Sequence, residues 1–292
     1  MKYRTIEAEK ITGALGAEIR GVDLAKPLSN AAAADIRQAL TDHLVLFFRD
    51  QSLTPEQQLA FSRLFGPLCR VPYVRPMDGY PDIIAVLKEA DEKKISTFGN
   101  AWHSDFSFLE EPPLGSVLYA REVPAYGGDT LFANMYSAYE ALSEGMRWML
   151  DGLNAMHAGR PYGVGGVPAD LGVSRSIGIE RNRPEADREI AHPVVRVHPA
   201  TGRKALFVNS IYTTRFEGMT EAESRPLLKY LYDHAIRPEF TCRLRWRTKD
   251  LAVWDNRCAM HYAVNDYDGA RRLMHRTTIK GERPISARGK NS

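Results

Sequence analysis

Short apolar runs recur along the chain, each closed by Gly, Pro, Asn or Asp. They cover residues 45–49, 83–87, 116–123, 130–134, 193–198, 204–209, 240–246, 251–255 and 272–279. Runs of this length, rich in Val, Ile, Phe and Tyr, predict β-strands. Pro199-Ala200-Thr201-Gly202 between two of them predicts a hairpin. Helical spacing is rarer. Ile36, Leu40 and Leu44 share one face of a predicted helix over 31–44. Thr54-Pro55-Glu56-Gln57 carries a capping Thr, a Pro at the first helical position and a reciprocal Gln, and predicts a helix closed by Phe65-Gly66-Pro67. A third helix is expected over 135–153, and a fourth from the Thr220 capping box to about Ile236. Many strands and few helices, without βαβ alternation, predict a mostly β fold with flanking helices, an antiparallel sandwich or barrel.

The 292 residues are 44% hydrophobic and 26% charged. That is ordinary globular composition, and a unit of this length can bury about 75% of its unfolded surface. One domain over residues 1–292 is expected. The net charge is only +3 and the basic residues are dispersed, so no nucleic-acid stripe is present. Residues 283–292 read as a solvated basic tail. No apolar run approaches the roughly 18 residues that span a bilayer. Cys69, Cys242 and Cys258 fit no disulfide frame, which suggests a reducing cytoplasm. Residues 157–187 are rich in Gly, Pro and Arg and too long for a plain connection, so a lid over a site, or else a surface insertion, is expected there.

Of eight histidines, only His103 has an acid two residues on, in Trp102-His103-Ser104-Asp105. On a strand, positions i and i+2 share a face, so His103 and Asp105 can meet one metal ion. His261, after a strand that ends in Trp254-Asp255-Asn256, is the best third ligand. Two imidazoles and a carboxylate on one face leave three positions open, as in non-haem Fe(II) oxygenases. The same set suits Zn²⁺, so a zinc hydrolase is the rival from another class. Arg272 and Arg276 share a strand face about 13 Å apart in rise. If that face is buried, both need anions, which a hydrolase does not explain. Thr130, after Gly127-Gly128-Asp129, offers a hydroxyl to a carboxylate.

Several stretches in this order resemble the TauD/TfdA family of Fe(II)- and 2-oxoglutarate-dependent dioxygenases. They are Gly16 to Leu24, Trp102-His103-Ser104-Asp105-Phe106, Pro112-Pro113, Gly127-Gly128-Asp129-Thr130, Trp254-Asp255-Asn256-Arg257, His261-Tyr262-Ala263-Val264 and Arg271 to Arg276. The resemblance implies a double-stranded β-helix (jelly roll), with Fe(II), 2-oxoglutarate and O₂ as cofactor and cosubstrates. It makes His103, Asp105 and His261 the metal ligands. It makes Arg272 and Thr130 the clamp on the distal carboxylate of 2-oxoglutarate, Arg276 the contact to the substrate's anionic group, and Trp254 an aromatic neighbour of the metal. The implied reaction hydroxylates a small anionic substrate while 2-oxoglutarate becomes succinate and CO₂. With a carboxylate at position 105, halogenation is not expected. Val71 and Gly99 stand where a taurine enzyme would carry His and Asn. A pocket of Val71, Phe106 and Tyr212 suits a more apolar body, an aryloxyalkanoate or an organosulfonate, with taurine or an alkylsulfonate as the alternative. Residues 240–246 and 212–224 resemble the phenoxypropionate branch in texture. The resemblance also implies a homo-oligomer, a dimer or tetramer.

Overall fold

The computed structural model describes residues 3–93, 95–164 and 176–288. Its largest sheet has seven strands in the order Glu7–Lys10, Ala17–Arg20, Val45–Phe48, Leu251–Asp255, Gly115–Glu122, Arg272–Ile279, Ile84–Lys88. All neighbours are antiparallel except Ala17–Arg20 with Val45–Phe48. A three-stranded sheet carries Thr130–Asn134 between Thr241–Leu244 and Ala259–Ala263. Two more hold Asn154–His157 between Thr213–Phe216 and Ile190–Pro193, and Val195–Val197 between Lys204–Leu206 and Ile285–Ser286.

The continuous apolar runs arise because the large sheet is covered on both faces. Val45 and Phe47 belong to one core cluster, together with Leu118, Phe132, Trp254 and Met274. Their neighbours Leu46 and Phe48 turn the other way, onto Ile36 and Leu40 of the helix Asn30–His43 and Phe61 of the helix Pro55–Ser62. The second helix begins as its cap predicts, Thr54 forming its reciprocal box with Gln57, and Ser29 caps the first by accepting from Ala32 N. Each buried aromatic contributes about 2–3 kcal/mol of burial free energy, so the inner face is rigid enough to hold a site.

The structure corrects three expectations. The helix expected over 135–153 is two helices, Met135–Glu140 and Glu144–Leu150, because Ser143 caps the second by accepting from Met146 N. His103 and Asp105 do not lie on a regular strand: His103 makes an isolated bridge to His261, and Asp105 sits in a turn. The carboxamide of Asn256 takes both the N–H and the C=O of Asp105, the groups a neighbouring strand would need. The C-terminal segment is also more than a solvated tail. Ile285–Ser286 pair with Val197 and Arg196, and Arg288 donates to the Trp148 carbonyl across that ring's face. Residues 289–292 and 165–175, the latter within the expected lid, lie outside the described residues.

His192 illustrates a cost of burial. Its Nε2 donates to the Leu109 carbonyl at 2.8 Å, and burial pushes its pKa down to about 4. The unfolded imidazole titrates near 6.5. The folded state therefore binds fewer protons between about pH 6.5 and 4, and stability is lost as pH falls through that window. Unfolding free energy should fall by about 2 kcal/mol between pH 7 and 5 on account of this group. Urea titrations at both pH values should show a smaller loss for His192→Gln, which keeps the donor and cannot charge.

Candidate active site

His103 and His261 are joined through their backbones, N–H to C=O in both directions at 3.1 and 2.9 Å. This isolated bridge brings together residues distant in the chain, and their ring centroids stand 4.2 Å apart. His103 Nδ1 contacts the Ala101 carbonyl at 2.7 Å. A carbonyl only accepts, so Nδ1 carries the proton and Nε2 presents its lone pair. Nε2 of His103 and Nε2 of His261 lie 3.5 and 3.6 Å from the same oxygen, Asp105 Oδ1. All three side chains are buried.

The electrostatics match a cation site. Burial alone would raise the Asp105 pKa, but the Arg276 guanidinium and the two imidazoles hold it well below the usual carboxylate range. Burial, with His103 and Arg276, pushes His261 well below its ordinary value against the pull of Asp105. His261 is therefore neutral at neutral pH, as a metal ligand must be. Its buried Nδ1 has no hydrogen-bond partner among the described residues. Two imidazole nitrogens and one carboxylate oxygen converging on one point are the donor set of a facial triad.

Beside this point is a narrow cleft lined by Arg272, Arg276, Thr130, Trp254, His103 and His261, among others. The strand Arg272–Ile279 turns Arg272, Met274 and Arg276 inward, as its period predicts. Arg272 is 4% exposed, its Nε has no partner, and no carboxylate among the described residues pairs with it. Burial lowers its pKa, yet a guanidinium stays protonated in proteins. A buried cation without a counter-ion calls for an anionic ligand. Gly128 makes room for it: its φ is +68°, and a Cβ there would lie 3.1 Å from Arg272 Cδ and Nε. Trp246 Nε1 donates to Thr130 Oγ1 at 2.9 Å. The indole N–H occupies a lone pair of that hydroxyl and leaves its proton free to be donated, which suits a carboxylate. Trp254 packs on His261 with ring centroids 4.7 Å apart.

On the other side of His103 lies a cavity of about 150 Å³, lined by Phe98, Gly99, Tyr162, Ile179, Arg181 and Tyr212 among others. That volume takes a group about the size of benzene. Tyr162, Ile179 and Arg181 come from the 157–187 loop, so its described part lines this cavity. Phe106 lies behind this wall, parallel to Tyr162 at 6.1 Å, with the Arg276 guanidinium 5.7 Å from its ring. Val71 is buried in the same apolar cluster and does not line the cavity. Arg276 is held by Asp105 Oδ2 at 2.8 Å and Ser116 Oγ at 3.0 Å. Sequence reasoning missed Ser116, Asn256 and Trp246 as parts of the site. Only Asn256 carried a signal, its place in the Trp254-Asp255-Asn256-Arg257 stretch. A second buried His–Asp–Cys group, His198, Asp255 and Cys258, is an internal ion pair: Arg257 holds both Asp255 oxygens at 2.9 and 2.7 Å.

A mostly β scaffold, a facial triad and a buried unpaired arginine together define a non-haem iron oxygenase that takes a diacid cosubstrate. The chain belongs to the taurine catabolism dioxygenase TauD, TfdA family, which it matches over residues 7–278. It is 36% identical over 291 residues to the alpha-ketoglutarate-dependent sulfate ester dioxygenase of Pseudomonas putida, covering 98% of this chain and 93% of the relative. It is 34% identical over 283 residues to the (S)-phenoxypropionate/alpha-ketoglutarate-dioxygenase of Sphingobium herbicidovorans, covering 91% and 92%. A crystal structure of a taurine dioxygenase from Burkholderia xenovorans superposes with TM-score 0.82 at 34% identity, covering 98% and 95%. The jelly-roll expectation holds. The protein is a 2-oxoglutarate-dependent dioxygenase that uses Fe(II), 2-oxoglutarate and O₂, and the zinc-hydrolase alternative gives way. No helix among the described residues is long and apolar enough to cross a membrane.

Proposed function

We propose that the enzyme hydroxylates a small organic oxyanion with an apolar body, at the carbon beside its heteroatom link. His103, Asp105 and His261 hold Fe(II), Arg272 and Thr130 hold the distal carboxylate of 2-oxoglutarate, and Arg276 supplies charge for the substrate's anionic head. When bound, the iron and its cosubstrate supply oxidative decarboxylation and delivery of one oxygen atom to a C–H bond. The chain's residues bind, orient and exclude water. Tyr162 and Tyr212, both raised above the usual phenol pKa by burial, stay protonated as walls of the cavity.

The observation that carries the substrate reading is the lining of that cavity: mostly apolar and aromatic side chains, with Asn100, His103 and Arg181, and no carboxylate among the described residues. An ammonium group has no counter-charge there, which argues against taurine. A side chain at Gly99 would crowd His103, since a Cβ would lie 3.2 Å from its Cε1. The names of the relatives support a sulfate ester or an aryloxyalkanoate. Hydroxylation beside the ester or ether oxygen gives an adduct that collapses, to an aldehyde and hydrogen sulfate or to an oxo acid and a phenol. Medium-chain alkyl sulfates and aryloxyalkanoates should stimulate succinate release at least about tenfold, roughly 1.4 kcal/mol of coupling, while taurine does not. Taurine as the best substrate in that screen would overturn the reading.

We also place the enzyme in the cytoplasm as a homo-oligomer of one-domain chains, with the 157–187 loop acting as a lid and neither nucleic acid nor membrane as partner. Its three cysteines are free thiols, which supports a reducing compartment. Light scattering on the purified chain tests the assembly. A further expectation concerns Trp246. Trp246→Phe should raise the 2-oxoglutarate concentration for half-saturation by about three- to tenfold, the worth of one hydrogen bond. An unchanged anaerobic titration would remove Trp246 from the cosubstrate site.

A further inference from the structure

Ser116 lies on the inward face of the strand Gly115–Glu122, wholly buried, opposite both Trp254 and Thr278. Its hydroxyl donates to Asp105 Oδ2 at 3.0 Å and contacts Arg276 Nη2 at 3.0 Å. A guanidinium only donates, so Ser116 Oγ accepts from Arg276 and must spend its single proton on Asp105. Arg276 Nη2 reaches the same Oδ2 at 2.8 Å. Both lone pairs of Oδ2 are then used, and Oδ1 alone faces the two imidazoles.

We infer that Ser116 is a positioning residue. With Arg276, it commits Asp105 to metal contact through one oxygen and keeps the second oxygen from closing a position that the cosubstrates need. The inference rests on the assignment of His103, Asp105 and His261 as ligands. It adds a residue that no motif marks, and Ser116 lines neither the cleft nor the cavity. Partners of this kind change metal affinity by about 10- to 100-fold when removed.

The test uses the full chain, stripped by chelation and titrated anaerobically with Mn(II) alone, free Mn(II) being read by electron paramagnetic resonance. Wild type should bind one ion. Ser116→Ala should raise the Kd about tenfold or more, and Ser116→Thr, which keeps the hydroxyl, should restore it. Ser62→Ala serves as the control. Ser62 is equally buried and its hydroxyl meets Thr277 at 2.6 Å on the opposite face of the sheet. That variant should lower Tm and leave the Kd unchanged. Failure of wild type to bind Mn(II) would sink the ligand assignment itself. Tight binding by wild type and Ser116→Ala alike, or equal weakening in the Ser116 and Ser62 variants, would overturn only the role of Ser116. If Ser116→Ala does not fold, Ser116→Thr decides: retained affinity supports the role and lost affinity refutes it.

Discussion

Asp105→Asn, a change of one atom, should lower O₂-dependent succinate formation by about 10³-fold or more, beyond the 10- to 100-fold loss from removing a ligand's outer partner. The reason lies in the donors around Oδ2. Arg276 and Ser116 both point hydrogens at that position, so the variant's amide must turn its carbonyl oxygen toward them. Its NH₂ group then faces His103 and His261 and has no lone pair to give a metal. Asp105→Ala should be equally inactive and less stable, because Arg276 would lose its carboxylate, and an unpaired buried charge costs about 3–5 kcal/mol. Mn(II) titration and succinate assay of both variants check this. Near-normal metal binding by Asp105→Asn would show that Asp105 is not a ligand.

Arg272→Met should separate stability from function in opposite directions. In the free enzyme Arg272 is a buried cation that no carboxylate among the described residues pairs with directly, Asp129 acting on it only through space, so an apolar side chain of similar length should raise the Tm. Each kcal/mol gained is worth about 2–4 °C for a chain of this size class. The same change removes the charge that awaits the distal carboxylate. Truncating one side of a buried charge pair costs about 2–5 kcal/mol, so half-saturation by 2-oxoglutarate should rise by about 10²-fold or more. Added 2-oxoglutarate should protect the wild type against heat and leave the variant unprotected, since only a bound ligand shifts unfolding. If the variant binds 2-oxoglutarate like wild type, the cosubstrate does not lie on Arg272.

The legible parts of the chain were those whose cause is local or periodic. The strands Thr130–Asn134, Leu251–Asp255 and Arg272–Ile279 begin and end where the sequence pattern places them, because short β-prone runs bounded by turn residues are a local signal. The caps at Thr54 and Thr220 act within three residues of themselves and were equally plain. The inward pairing of Arg272 with Arg276 follows from a period of two. The turn at Asp105 was not legible. Strand alternation would also have aligned His103 with Asp105, but the observed turn depends on an Asn256 carboxamide 151 residues away. Val71 followed the position of a family residue, and position along a chain does not tell a cavity wall from the core behind it.

The amino-acid sequence by itself determined where several strands run, the inward face of Arg272–Ile279, the three candidate ligands and the family, because each is written in spacing, residue type or order of motifs. The tertiary structure alone decided which oxygen of Asp105 faces the imidazoles, which arginine lacks a counter-ion, and that Ser116 and Trp246 orient groups beside them. These depend on hydrogen bonds between residues distant in the chain. A serine or tryptophan has donors and acceptors in any protein, and only folding selects the partner that uses them.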